Sequence, residues 1–130
     1  MTPRISRLLE LGRARFNSGR YFEAHEAWEE AWLTETGETK RLLQGLIQIA
    51  AGCHKAYEKG QRTGCARLLE TGVSKLTGSW KGLALDAFVL SVRAALEEVR
   101  RWERGEAAGM KTTGAPRLLR ADGDRERVRN

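Results

Sequence analysis

The sequence predicts an all-α protein, a compact bundle of about five helices built from helical hairpins. Helix-favouring Ala, Leu, Glu, Arg and Lys dominate the 130 residues. The two prolines, Pro3 and Pro116, leave the middle of the chain uninterrupted. The order helix, glycine turn, helix is similar in style to tetratricopeptide hairpins, although its internal offset of about 41 residues is long for such a repeat.

Each predicted helix begins or ends at an identifiable residue. Thr2 can cap the first helix, Pro3 suits its first position, and Gly19 ends it. Gly60 ends the third helix, and the fifth carries the clearest apolar stripe. The five predicted helices cover residues 3–18, 20–33, 38–59, 63–80 and 86–103.

Composition divides the chain into one helical domain, residues 1–104, and a basic tail, residues 105–130, that is expected to be disordered. After residue 105 the apolar periodicity gives way to Gly, Thr, Pro and Arg. The formal net charge is +6; six Lys and Arg against four acids give the tail +2, which leaves +4 for the rest. No basic run is interleaved with aromatic residues, so nucleic acid is disfavoured as a partner.

The chain is expected to be soluble and cytoplasmic. No apolar run approaches the length that spans a bilayer, and residues 1–7 lack the apolar region of a signal peptide. Cys53 and Cys65 lie in apolar helical patterns. We therefore predict two buried free thiols, which suits a reducing compartment.

The densest group of candidate functional residues lies on the second predicted helix. At 100° per residue, His25 and Glu29 share a face with Tyr21, Trp28 and Trp32. A histidine with a carboxylate four residues on can act as an oriented acid–base pair or contribute to a metal site. The string resembles the zinc-protease H-E-x-x-H, but Glu29 replaces the second histidine, so no metal site is assigned. The candidate catalytic residues are His25, Glu26 and Glu29.

A polar stripe on the third predicted helix holds Gln44 and Gln48, flanked by Gly45 and Gly52. Each glycine costs about 1 kcal/mol of helix propensity, which indicates that another element approaches closely. If the second helix lies there, the glutamines meet its histidine and carboxylate in a polar pocket. Alternatively, that histidine and carboxylate hydrogen-bond each other over the core. The candidate ligand-binding residues are Tyr21, His25, Trp28, Glu29, Trp32, Gln44 and Gln48.

Three motifs resemble the family known as domain of unknown function 309. They are N-x-G-x-Y from Asn17, H-E-x-W-E-x-x-W from His25, and L-Q-G-L-I-Q from Leu43. The resemblance covers about residues 8–80 and implies a compact all-α bundle of bacterial or archaeal type, with no established activity. Its signature positions are Asn17, Gly19, Tyr21, His25, Glu26, Trp28, Glu29, Trp32, Gln44, Gly45 and Gln48.

Two functional classes remain open. The hairpin style and the incomplete catalytic set favour a protein- or peptide-binding or scaffolding module. The alternative is a small enzyme or ligand sensor that uses a polar pocket around His25, Glu29, Gln44 and Gln48, with metal dependence undecided. The sequence names no cofactor. The expected partner is a protein or a small ligand rather than a membrane, and a glycine-lined helix face could also serve a homo-oligomer.

Overall fold

The computed structural model describes residues 1–80 and 82–122 and confirms the all-α prediction. The helices are α1 (Pro3–Asn17), α2 (Tyr21–Trp32), α3 (Gly37–Cys53), α4 (Cys65–Ser74) and α5 (Leu85–Glu103). A π-helical segment, His54–Glu58, extends α3 and is called the π-turn below. Each helix packs against the next, so that α1–α2 and α3–α4 form hairpins and α5 packs on α4. None of the described helices combines the length and apolar character needed to cross a membrane.

Local signals set the first helix ends. Thr2 Oγ1 accepts a hydrogen bond from the backbone N–H three residues on, at 3.2 Å, and Pro3 occupies the first turn, as predicted. Gly19 turns the chain from α1 to α2 with a φ of 81°, which glycine adopts without steric cost. No side chain of the preceding residues caps α2, and the Phe22 N–H donates instead to Glu58 Oε1 at 3.1 Å. The π-turn therefore caps α2.

The third predicted helix, 38–59, is not α-helical throughout. Its hydrogen bonding widens after Cys53, and the Lys59 N–H donates to the His54 carbonyl five residues earlier, at 3.0 Å. Such a π-helical segment is uncommon and is frequent at functional sites. The widened turn places a histidine and a carboxylate against the start of α2.

The fourth predicted helix, 63–80, is shorter than expected. It spans Cys65–Ser74, preceded directly by Gly64 with a φ of 86°, and Gly78 further on has a φ of 78° that does not suit a continued helix. Beyond it the chain forms a loop in which Trp80 is buried. The helical pattern of apolar residues thus continues past the true end of the helix.

The predicted disordered tail is corrected for part of its length. Leu118 is fully buried in the core cluster, and Pro116, two residues earlier in the sequence, is also buried. Residues 115–121, called the strap below, lie between α1 and the segment that precedes α5. The tail's polar composition predicted disorder, but its leucine buries enough apolar surface to order the strap. Residues 123–130 of the predicted tail lie outside the described residues.

Candidate functional site

Two aromatic candidates on α2 serve the core. Trp28 is fully buried, and its indole N–H donates to the Leu9 carbonyl at 3.1 Å. A Cβ added at Gly12 would lie 2.2 Å from Trp28 Nε1, so α1 admits the indole because position 12 is glycine. Tyr21 is also buried and stacks on Tyr57 of the π-turn, with ring centroids 5.5 Å apart. Trp28 thus joins α2 to α1, and Tyr21 joins it to the π-turn.

His25, Glu26 and Glu29 do not form the expected acid–base group. Both glutamates are exposed. The His25 ring lies parallel to that of Phe22, with centroids 6.2 Å apart, and its Nδ1 is buried without a hydrogen-bond partner among the described residues. Neither carboxylate therefore orients the imidazole. Across residues 1–80 and 82–122, no three His, Cys, Asp or Glu side chains are placed to hold a metal ion.

The glycine-lined stripe of α3 faces α4 rather than α2. A Cβ at Gly45 would lie 2.8 Å from the Gly72 carbonyl oxygen, and a Cβ at Gly72 would lie 2.7 Å from the Gly45 carbonyl oxygen. The predicted close approach is confirmed, with α4 as the partner. Gln48 Oε1 accepts a hydrogen bond from Lys75 Nζ at 2.7 Å, and Gln44 is half-buried. The glutamines therefore do not join the α2 histidine and carboxylate in one hydrogen-bond network.

Trp32, at the end of α2, contacts the beginning of α3. The Lys40 Nζ lies 4.3 Å from the centroid of its ring, within the range of a cation–π interaction. The indole Nε1 is buried and has no hydrogen-bond partner in the described part of the chain. This contact fixes the two ends of the α2–α3 connection against each other.

The π-turn carries a histidine–carboxylate pair that the sequence did not single out. His54 Nδ1 lies 2.8 Å from Glu58 Oε1, which also accepts the Phe22 N–H. The half-exposed Phe22 ring lies 5.3 Å from the His54 ring, centroid to centroid. His54 and Glu58 are four residues apart, as are His25 and Glu29. Spacing alone therefore does not predict that the first pair forms a hydrogen bond and the second does not.

Asn17, at the end of α1, binds both main-chain polar groups of one strap residue. Its Oδ1 accepts the Leu118 N–H at 2.8 Å, and its Nδ2 donates to the Leu118 carbonyl at 3.0 Å. One turn earlier, Arg13 Nη1 donates to the same carbonyl at 3.0 Å. The edge strand of a sheet hydrogen-bonds the main chain of an added extended peptide in the same way. Here side chains of a helix supply it.

A buried guanidinium supports this contact. Arg13 is 1% exposed, and burial of a charge is costly unless it is paired. Its Nε donates to Glu10 Oε2 at 3.0 Å, and Arg120 of the strap lies 3.2 Å from the same oxygen. Burial acts to raise the pKa of Glu10, but the hydrogen bonds and positive charges of Arg13 and Arg120 lower it overall. Ionised Glu10 therefore links α1 to the strap.

The opposite edge of the strap pairs with the chain just before α5. The Ala84 N–H donates to the Leu119 carbonyl at 2.9 Å, and Leu83 forms an antiparallel bridge with Arg120. The strap is thus hydrogen-bonded on both sides. The surface that holds it is called the strap groove and consists of Glu10, Arg13, Asn17 and residues 82–84.

A cleft of about 470 Å³ opens beside the strap, bounded by the end of α1, the π-turn and residues 112–117. Glu58 and Arg117 bring one negative and one positive charge to its wall. Burial raises the pKa of Tyr57, another wall residue, above its ordinary 10.0, so its hydroxyl stays protonated. Among the candidate ligand-binding residues proposed from the sequence, Tyr21 lines this cleft, as do the signature positions Asn17 and Gly19, whereas the catalytic candidates do not.

The family model of the domain of unknown function DUF309 matches residues 9–68. Residues 9–68 are thus similar to this family. The match confirms the family resemblance seen in the sequence. It covers most of α1, all of α2 and α3, the π-turn and the start of α4. Arg13 and Asn17 thus lie within the matched region, whereas α5 and the strap lie beyond it.

A relative from Aquifex aeolicus (strain VF5), described as an uncharacterized protein, is 29% identical to this chain over 99 residues. The aligned part covers 74% of this chain and 28% of the relative. The chain therefore spans little more than a quarter of the length of that relative, in which the similar region is part of a longer protein.

Proposed function

We propose that this protein is a helical module that binds an extended peptide in the strap groove. The observation that carries the proposal is the pair of hydrogen bonds from Asn17 to the N–H and the carbonyl of Leu118. These main-chain groups are common to every residue except proline, so the contact does not require the ligand to belong to the same chain. In the free protein its own strap occupies the groove, as a ligand bound in cis.

The groove also selects side chains. Burying a leucine side chain, as at Leu118, contributes about 1.5–3 kcal/mol. The carboxylate of Glu10 contacts Arg120, two residues further on, at 3.2 Å. The preferred peptide therefore carries a leucine followed two positions later by arginine or lysine.

Two further observations support a binding module. The similar region of the Aquifex aeolicus relative is part of a longer chain, as expected of a domain that works beside others. Glu29 is exposed and Gln48 accepts a hydrogen bond from Lys75, so the contacts give the enzyme or sensor alternative less support than the strap groove gives a binding module. The α2 histidine is consequently left without an acid–base partner.

Fluorescence anisotropy tests the proposal with a labelled peptide of residues 114–122. The full chain carrying Leu118→Asp cannot bury its own strap, so its groove is free. We expect this variant to bind the peptide, and wild-type protein to bind it more weakly in proportion to the fraction of open straps. A peptide in which the same leucine is aspartate is the matched control and is expected not to bind.

The contrary result is equally clear. If the Leu118→Asp chain keeps its helical circular dichroism spectrum and binds the leucine peptide no better than the aspartate peptide, the groove is not a peptide site. Adding Asn17→Ala to the Leu118→Asp chain gives a second comparison. Peptide binding that is unchanged by this addition would show that the amide contact does not recognise the ligand.

A further inference from the structure

The strap runs along α1 towards the beginning of that helix. Asn17, at the end of α1, binds Leu118, whereas Glu10, nearer the start of the helix, contacts Arg120 at 3.2 Å. An extended segment in this groove therefore advances towards the first turn of α1 as it passes from the leucine to the arginine. The residue after the arginine, Ala121, comes next on this path, at the end of the strap.

A cavity of about 430 Å³ opens at that end of the strap, and Ala121 forms part of its wall. Residues at the beginning of the chain and just before α5 complete the wall, to which Met1, Leu9 and Leu83 bring apolar side chains. Met1 is 45% exposed, so apolar surface at the cavity is open to solvent. The methyl group of the alanine, which is itself exposed, fills little of this space.

The charged groups around the cavity favour an apolar occupant over a cationic one. Glu10 is held by Arg13 and Arg120, so its charge is balanced within the protein. Asp122 also lines the cavity but is exposed to solvent, which weakens its attraction for a cation. A cationic side chain placed here therefore gains little, whereas an apolar side chain gains by leaving water.

We infer that this cavity is a specificity pocket of the strap groove and takes a large apolar side chain, such as leucine, methionine or phenylalanine, three positions after the leucine of a bound peptide. The inference rests on the proposed function, since it concerns the ligand of the same groove. The preferred ligand therefore reads leucine, any residue, a basic residue, and then a large apolar residue. The protein's own strap carries alanine at the last of these positions, which makes it a weaker ligand than a peptide that fills the pocket.

This difference favours replacement of the strap by a peptide. A tethered segment has the advantage of a high effective concentration, which a free ligand overcomes only by higher affinity. Leucine in place of alanine adds apolar surface, and burying about half of it strengthens binding by about five- to tenfold. A peptide with the large side chain thus displaces the strap at a proportionally lower concentration than a peptide that copies the strap.

Fluorescence anisotropy with the full-length Leu118→Asp chain, whose groove is free, tests the inference. The probes are the peptide of residues 114–122 and two versions of it that carry Ala121→Leu or Ala121→Lys. We expect the Ala121→Leu peptide to bind about five- to tenfold more tightly than the unchanged peptide, and the Ala121→Lys peptide to show no such gain. Equal affinities of the leucine and alanine peptides would overturn the inference, as would an equal gain from lysine.

A variant that fills the pocket from α1 gives a second comparison. Ser6 is exposed and lines the cavity, so Ser6→Trp in the Leu118→Asp chain should abolish the preference for the Ala121→Leu peptide. Leu11→Trp is the matched control, because it places the same ring at an exposed position of α1 outside this cavity. A preference that survives Ser6→Trp unchanged would contradict the assignment of this cavity as the pocket.

The same substitution in the wild-type chain separates failure of the pocket from failure of the proposed function. Ala121→Leu should hold the strap closed more firmly and raise the exchange protection of the Ala84 N–H, which donates to the Leu119 carbonyl, by about five- to tenfold. If this protection rises but no peptide binds the Leu118→Asp chain, the cavity belongs only to the fold, and the proposed function and the inference both fail. If the unchanged peptide binds and neither use of Ala121→Leu has an effect, the proposed function stands and the specificity pocket fails.

Discussion

Asn17→Ala is expected to open the strap without unfolding the helices. The substitution removes the acceptor of the Leu118 N–H and one of two donors to the Leu118 carbonyl, while Arg13 remains bound to that carbonyl. A buried donor left unsatisfied costs about 1–3 kcal/mol. The equilibrium between open and closed strap should therefore shift toward open by about 5- to 150-fold.

Amide hydrogen exchange at Ala121, whose N–H donates to the Gly82 carbonyl and is untouched by the substitution, measures this shift. Protection at this amide should fall by the same factor, while protection in the middle of α3 should change little. Ser18→Ala is the matched control, because the Ser18 hydroxyl donates to the Ala14 carbonyl within α1 and does not contact the strap. Equal protection of the strap in wild type and Asn17→Ala would refute the assignment of Asn17 as its main-chain receptor.

Three further perturbations test the packing and the electrostatics. Gly72→Ala places a Cβ 2.7 Å from a carbonyl oxygen of α3 and should lower the free energy of unfolding by about 1–2 kcal/mol, as read from urea denaturation, whereas Gly109→Ala, which meets nothing within 4 Å, should not. Burial raises the pKa of both Cys53 and Cys65, so neither thiol should react with a disulfide reagent at mildly alkaline pH until denaturant is added; labelling of the native protein would contradict this. The pKa of Glu10 is lowered from 4.5 on folding, so its contribution is present above pH 4.5 and is lost as the pH falls from there through the lowered pKa. In Glu10→Gln the free energy of unfolding should therefore fall less steeply as the pH drops below 4.5. An unchanged pH dependence would show that Glu10 does not stabilise the fold in this way.

The helices could be predicted because their signals are local. Thr2 and Pro3 start α1, and Gly19 ends it, through contacts within a few residues. The change to π-helical bonding after Cys53 has no such signal. It is coupled to a distant contact, the hydrogen bond between Glu58 and the first turn of α2.

The candidate site could be predicted only in part because its geometry depends on which helix covers which face. A helical wheel places His25 and Glu29 on the aromatic side of α2, but it does not show what lies opposite. That choice is made by the contact between Gly45 and Gly72, which brings α4 onto the glutamine stripe. Gly72 itself reads in the sequence only as a residue that weakens a helix.

The strap was missed for a related reason. A composition rich in Gly, Thr and Arg predicts disorder for the whole segment. An average over the segment does not register the two adjacent leucines at 118 and 119. The partners of Leu118 are Arg13 and Asn17, which lie about a hundred residues earlier in the chain. No local pattern joins positions so far apart.

Competition between the strap and an added peptide tests the central claim most directly. Exchange at the Leu118 amide is followed in isotope-labelled wild-type protein while an unlabelled peptide of residues 114–122 is added. A groove that binds peptides in trans predicts that protection of this amide falls and levels off as the peptide saturates the groove. Protection that stays constant at every peptide concentration would mean that the strap is a fixed part of the fold and that the groove binds no ligand.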